Sequence, residues 1–301
     1  MKNIKDLIGE KLYNVIFSKF DESQVEEIRV RANCPLVVCT GGKNFIVSVS
    51  SGDYIISDDD INHIIAAATE NSMYAVQDQI KQMYISYYGG IRIGITGDIV
   101  EENGKIITVK YINSLNIRLP HEIKNFSNIA MNFIHSGGIK STLIVSEPGA
   151  GKTTLIRDIA RNLSHCGKIY NVLLVDERKE IAYCNNGRPT LDVGSFTDII
   201  SGGNKSFAFN YAIRSLKPNV IITDELSSKE DYLAAEKAIL SGVKVIASVH
   251  AKNQLDAYTN ENIKHMLDNN FFERIIVLSE KAPNRYQGVY DNKLKCLYMP
   301  Y

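Results

Sequence analysis

The sequence predicts an α/β fold in which a mostly parallel sheet is covered by helices on both faces and preceded by a smaller α+β domain. Three observations predict it. From Ser141 onward, short β-branched runs at 142–145, 171–175, 219–223, 243–249 and 274–278 alternate with helical stretches, as expected of parallel strands buried on both faces. Ahead of them, short alternating runs at 35–39, 45–49, 91–95 and 106–112 are bounded by Gly, Asn and Ser, the pattern of a small antiparallel sheet. Finally, 301 residues at 45% apolar and 23% charged are enough for two compact domains. We place them at residues 1–128 and 129–301, with 127–140 and its Ser136-Gly137-Gly138 as the junction.

Two helices interrupt the N-terminal strands. Asp60 is positioned to cap a stretch with Ile61, Ile64, Ile65 and Ala68 on one face, and Ser72 to cap one with Met73, Val76, Ile80 and Met83. In the second domain the apolar run Leu143-Ile144-Val145 leads into Ser146-Glu147-Pro148-Gly149-Ala150-Gly151-Lys152-Thr153-Thr154. A helix follows with Leu155, Ile156, Ile159, Ala160 and Leu163 on one stripe. Around Asp291-Asn292 the tail reads as a closing hairpin.

Strand, glycine-rich turn, Lys-Thr and helix are the parts of a phosphate-binding P-loop. Gly149 and Gly151 let backbone N–H groups converge on phosphate oxygens at the positive end of the helix dipole, so residues 148–154, Pro148, Ala150 and Thr154 included, form the nucleotide loop. Lys152 would reach the β- and γ-phosphates of ATP, and Thr153 a Mg²⁺ ion. Ser146 stands where the first Gly of G-x-x-x-x-G-K-[ST] is usual, which requires a negative φ there.

Asp224-Glu225 ends the strand Val220-Ile221-Ile222-Thr223, placing Asp224 to hold the Mg²⁺ shell through water and Glu225 to polarise the attacking water. Asp176-Glu177-Arg178 ends the strand at 171–175 in the same manner, so Glu177 and Glu225 are rival general bases. His250 ends the strand at 243–249 and could sense the γ-phosphate through a neutral imidazole, or simply cap the next turn.

Composition removes several other classes. Thirty-four Lys+Arg balance 34 Asp+Glu, so no bulk field recruits nucleic acid or anionic lipid. Five scattered cysteines read as reduced thiols, and Cys34 and Cys39 lack a second pair at zinc-ligand spacing. The longest apolar runs, such as 64–68, are about five residues against the roughly 20 that span a bilayer. The expectation is a cytoplasmic protein that meets a membrane only through partners.

Several further runs carry a resemblance: residues 89–97 (Gly89-Gly90-Ile91-Arg92 through Gly97), Ser114-Leu115-Asn116-Ile117-Arg118, Val175-Asp176-Glu177-Arg178-Lys179-Glu180-Ile181, Asp192-Val193-Gly194, Arg214-Ser215-Leu216-Lys217-Pro218 and Thr223-Asp224-Glu225-Leu226. With the P-loop, in this order from about Glu27 to His250, they resemble the stage III sporulation protein AA family of endospore-forming bacteria. That family is similar to the ATPases of type II and type IV secretion systems and pili. The resemblance implies a RecA-like, AAA-type ATPase domain behind an N-terminal domain, working as a hexameric ring. It further implies ATP and Mg²⁺ as cofactors, a mother-cell location peripheral to the forespore outer membrane, and channel proteins of the sporulation complex as partners. Asp176-Glu177 then falls at the acidic box and His250 at the histidine box, while Arg118 or Arg92 would bring an N-terminal-domain arginine to the γ-phosphate. Arg178 and Arg214 are alternatives in the ATPase domain. The Asp224-Glu225 pair departs from the Gly-Glu of many secretion ATPases.

Other readings remain open on sequence alone. A nucleotide-gated scaffold would keep the P-loop and hydrolyse little. A nucleic-acid-directed ATPase would need a basic region, which the zero net charge does not supply. A small-molecule phosphotransferase would need an arginine-rich lid and would leave the N-terminal domain unexplained.

Overall fold

The structure is a computed structural model that describes residues 3–102, 104–120, 123–164, 166–184 and 187–300. The chain divides into two compact units, Met1–His121 and Glu122–Tyr301.

The first unit opens with helix α1 (Ile4–Phe17), whose N-cap Asn3 and Asp6 form a reciprocal capping box. Strands β1 (Val25–Arg31), β2 (Val37–Thr40), β3 (Lys43–Ile46), β4 (Ser48–Val49) and β5 (Gly52–Asp53) precede α2 (Asp58–Ala68) and the short α3 (Gln77–Ile80). Then β6 (Tyr84–Ser86), β7 (Arg92–Glu102) and β8 (Lys105–Arg118) complete the unit. Six strands form an antiparallel sheet in the order β3-β2-β1-β8-β7-β6. Leu7, Leu12 and Ile16 of α1, Ile61 and Ile64 of α2, and Ile28, Ile93 and Ile117 of the sheet share one core. Gly97 sits at a register break between β7 and β8, where a Cβ would come 2.6 Å from the Lys110 carbonyl oxygen; the close strand approach explains that glycine.

Two local readings need correction. Ser57, not Asp60, is the N-cap of α2, and Asp60 is the third helical residue, accepting from the Ser57 N–H at 3.0 Å to close a capping box. The stretch after Ser72 is not one helix. It is a 3₁₀ turn at Met73–Val76 followed by the single turn of α3, and the Ser72 side chain caps nothing. Val76, caught between the two, has ψ 14°, and Met83 has φ 62°, so the apolar period could not be propagated. Helix α1 and strand β1 had no counterpart among the expected elements.

In the second unit, α4 (Asn128–Ile134) leads to β9 (Thr142–Ser146) and α5 (Lys152–Leu163). There follow β10 (Val172–Asp176), β11 (Thr197–Ser201), α6 (Lys205–Ser215), β12 (Val220–Glu225), α7 (Lys229–Leu240) and β13 (Lys244–His250). The chain then runs through α8 (Gln254–Tyr258), α9 (Glu261–Asp268), β14 (Arg274–Leu278), β15 (Tyr286–Asp291) and β16 (Cys296–Tyr298). The sheet order is β11-β10-β12-β13-β9-β14-β15-β16, parallel from β11 to β14 and antiparallel beyond. Strands β9, β10, β12, β13 and β14 match the five apolar runs, and β15 with β16 makes the closing hairpin. Separate apolar clusters cover the two faces: Ile156, Ile159 and Leu163 of α5 lie on one, and Phe209, Ala235 and Ala238 of α6 and α7 on the other. Within the segment 127–140, residues 128–134 form α4, and the buried Asp158 carboxylate accepts from both the backbone N–H and the hydroxyl of Ser127 at 2.8 Å.

Candidate functional site

The C-terminal edges of the parallel strands collect the predicted residues: Asp176, Asp224-Glu225 and His250 are the last residues of β10, β12 and β13, and the phosphate loop leaves β9 at Ser146. Ser146 stays in β9 and does not have positive φ, while the left-handed turns fall on Gly149 (φ 83°) and Gly151 (φ 101°). The Ser-for-Gly departure is therefore accommodated. The positive φ is what requires glycine at 149, because the atom a Cβ would meet, Glu280 Oε1 at 2.7 Å, is the tip of an exposed side chain that can move aside. Pro148 and Ala150 complete the turn, and Gly151 caps α5, so that Lys152, Thr153 and Thr154 form the helix's first turn with its free N–H groups.

Lys152 is half-buried and turns back over its own loop, with Nζ 3.4 Å from the carbonyl oxygens of Ser146 and Glu147 and 2.9 Å from His250 Nδ1. No carboxylate among the described residues lies within ion-pair range of it. Burial lowers its pKa from the usual lysine value, with Glu225 opposing and Arg178 adding to the shift. A partly desolvated ammonium without a carboxylate, at the mouth of a two-glycine turn, fits a phosphate.

The strand between β9 and β12 is β13, which brings His250 opposite Ser146 and Ser248 opposite Glu225. An ammonium can only donate, so His250 Nδ1 accepts from Lys152 and Nε2–H is left to donate to Glu225 Oε2 at 3.1 Å. The same carboxylate oxygen takes Arg178 Nη2 at 3.3 Å. Lys152, His250, Glu225 and Arg178 thus make one polar chain across three neighbouring strands and the loop after β10.

The two acidic strand ends behave differently. Asp176 is fully buried and accepts from the N–H groups of Glu180, Ile181 and Ala182 at 2.9, 3.1 and 2.9 Å. Burial raises its pKa against the pull of these three bonds. It shapes the 177–182 turn rather than facing a substrate. Arg157 of α5 grips the same turn from the other side, donating to the carbonyls of Ile181 at 2.6 Å and Glu180 at 3.0 Å. The turn presents Glu177 and Arg178 outward, while Asp224 and Glu225 end β12.

Lys205 joins the two acids. Its Nζ lies 3.0 Å from Glu177 Oε2 and 2.7 Å from Asp224 Oδ1, and it also donates to the Glu225 carbonyl. With a side chain 3% exposed, it is the central site residue that sequence reasoning missed. One signal existed: a lysine at the first position of a helix is unfavourable beside the positive dipole end, and so hints at carboxylates nearby. A second omission is Arg285, whose Nη1 donates to the Gly149 carbonyl at 2.9 Å. Arg214 of α6 has no ion pair with the residues named above.

For Mg²⁺, no three His, Cys, Asp or Glu side chains converge on a metal position among the described residues. A magnesium ion that keeps several waters and takes phosphate oxygens needs no such set. Thr153, next to Lys152, and Asp224, at the end of β12, would hold it, the latter through water. In the first unit, Arg118 Nε pairs with Glu27 Oε1 at 3.3 Å and Arg29 Nη2 with Glu27 Oε2 at 2.9 Å. Arg92, directly across the ladder from Arg118, stacks over Tyr84 at 4.1 Å. No helix among the described residues is long and apolar enough to cross a membrane.

Among solved structures, the chain is similar to the pilus retraction motor PilT with bound ADP, with a TM-score of 0.61 and 16% identity over 88% of this chain and 77% of that one. It is also similar to the Legionella pneumophila ATPase DotB, with a TM-score of 0.55 and 15% identity over 84% and 72%. These likenesses show the shared P-loop ATPase fold. A relative in Bacillus subtilis (strain 168), stage III sporulation protein AA, is 32% identical over 97% of this chain and 95% of that protein. The family described as sporulation stage III, protein AA, matches residues 1–297, and the chain belongs to it.

Proposed function

We propose that the chain is an ATP-hydrolysing motor of sporulation that works as an oligomeric ring through protein partners. The observation that carries the reading is the Lys152–His250–Glu225 chain, 2.9 and 3.1 Å long at its two links, which joins the phosphate loop to a strand-end carboxylate. In this reading Gly149, Gly151 and the α5 N-terminus bind the phosphates and Lys152 swings from its own carbonyls onto the β/γ oxygens. Mg²⁺ would neutralise charge on the phosphates, with Thr153 and Asp224 as its protein contacts.

Glu225 is favoured over Glu177 as the group that orients the attacking water. Strand spacing is about 4.8 Å, so the end of β12 stands two strands from the P-loop strand and the end of β10 stands three. His250 reports the change at Lys152 to Glu225: once Lys152 turns to phosphate, His250 loses its donor and Glu225 is freed to reorganise. Arg118 is proposed, from the family resemblance alone, as the arginine that neutralises the transferred phosphoryl group. The ring, the channel partners of the sporulation complex and the mother-cell location rest on the same resemblance.

A second reading, a nucleotide-gated scaffold with little turnover, draws support from the Glu225 carboxylate being held by both His250 and Arg178. Mg²⁺-dependent ATP hydrolysis, measured over a range of protein concentrations beside Lys152→Ala, separates the two. A motor gives turnover per subunit that rises with concentration and vanishes in the variant. ATP binding without turnover at any concentration leaves the scaffold.

A further inference from the structure

An ammonium has three N–H donors and no acceptor, and Lys205 faces three oxygens: it donates to the Glu225 carbonyl and forms ion pairs with the Glu177 and Asp224 carboxylates. Its partners come from the end of β12 and from the turn after the adjacent parallel strand β10. Asp176, a further carboxylate, lies at the end of the same β10. Two carboxylates that share one nitrogen at 3.0 and 2.7 Å would, without that cation, repel each other and form an oxygen-rich pocket with the Glu225 carbonyl. Hard divalent cations take such a set. The lysine fills its centre.

We propose that Lys205 is a positioning residue that acts as a built-in cation: it holds Glu177 and Asp224 together and keeps divalent metal out of the acidic cluster until nucleotide brings its own. The inference rests on the ATPase reading for its purpose and on the Lys205 contacts for its substance. Metal entry becomes conditional on phosphate, because the acids alone offer Mg²⁺ no vacant centre. Asp224 keeps its second oxygen for a metal-bound water, since the lysine pairs through Oδ1. A nucleotide-free subunit is thereby prevented from capturing Mg²⁺ in a place where it would pull the Asp224 and Glu177 side chains from their working positions.

The test is Mn²⁺ binding by the full nucleotide-free chain, followed by the electron paramagnetic resonance of free Mn²⁺. Wild type and Lys205→Arg, which keeps the charge, are expected to bind no Mn²⁺ at this cluster. Lys205→Met is expected to gain one site, tighter than any in wild type by on the order of tenfold, and to lose it again when combined with Asp224→Asn. A folded Lys205→Met that gains no site overturns the proposal. So does a wild-type site that disappears on Asp224→Asn, an outcome that does not depend on the Met variant folding. Absence of ATP binding or turnover in wild type would sink the ATPase reading while leaving the Mn²⁺ result to stand or fall separately.

Discussion

At the β9 end of the sheet edge, Lys152 is half-buried with two carbonyls and an imidazole for company. At the β10–β12 end, Lys205 is buried with two carboxylates. Both are the first residues of helices that follow parallel strands, and their environments push them in opposite directions. Burial outweighs other influences at Lys152 and lowers its pKa, whereas at Lys205 burial is overcome by Asp224 and Glu177 and the pKa rises. The difference separates two uses of a buried cation: one is left short of negative charge and is ready for a ligand, the other is satisfied within the protein and fixes the acids around it. His250 and Glu225 lie between the two and connect them.

The contrast can be broken at three places. The largest effect is expected at the junction: Glu225→Gln should lower ATP turnover by roughly 10²–10⁴-fold while ATP affinity, read by calorimetry, stays close to wild type. Full turnover in that variant would move the water-orienting role to Glu177 or elsewhere. Next comes the satisfied lysine. Lys205→Met leaves carboxylates without their cation and should cost about 3–5 kcal/mol of unfolding free energy in urea, with Lys205→Arg recovering part of it. A cost near zero would mean the ion pairs are exchanged for water and that Lys205 fixes nothing.

The smallest effect tests the scaffold beneath both. Asp158 is a buried acid whose desolvation is outweighed by hydrogen bonds from Ser127 and by its pair with Arg161, so its pKa is held low. Its contribution is therefore fully present above the unfolded-state value of about 3.9 and is lost as pH falls through the lower folded value. Asp158→Asn should destabilise by about 1–3 kcal/mol near neutrality and flatten the acid limb of the stability curve. An unchanged acid limb would mean that Asp158 carries no pH-dependent stability.

How much of this was legible in the sequence follows from how local each feature is. The P-loop is a contiguous turn whose glycines, lysine and flanking apolar runs declare themselves, and Asp224, Glu225 and His250 stand at the ends of strands with clear β-branched runs. Strand order was not legible: that β13 separates β9 from β12, and so puts His250 between Lys152 and Glu225, is a property of the assembled sheet. Lys205, Arg157 and Arg285 were missed because their partners lie 19 or more residues away in the chain and nothing beside them in sequence marks the pairing. Asp176 and Glu177 looked alike as strand-end acids. Only the three N–H groups folded onto Asp176 separate a structural carboxylate from one that faces outward. In the first unit, periodicity overran a 3₁₀ turn after Ser72, since a 3.6-residue pattern does not register where the backbone leaves the helix.

Whether Lys152 is the cation left for a phosphate is read by calorimetric titration of Mg·ATP into wild type and Lys152→Ala, with melting of both measured without nucleotide. The two proteins are expected to melt alike, wild type to bind, and the variant's affinity to fall by at least about 100-fold, near 2.7 kcal/mol. Equal affinity in the two proteins would contradict that role for Lys152 and would place the nucleotide, if one binds, somewhere other than the turn between β9 and α5.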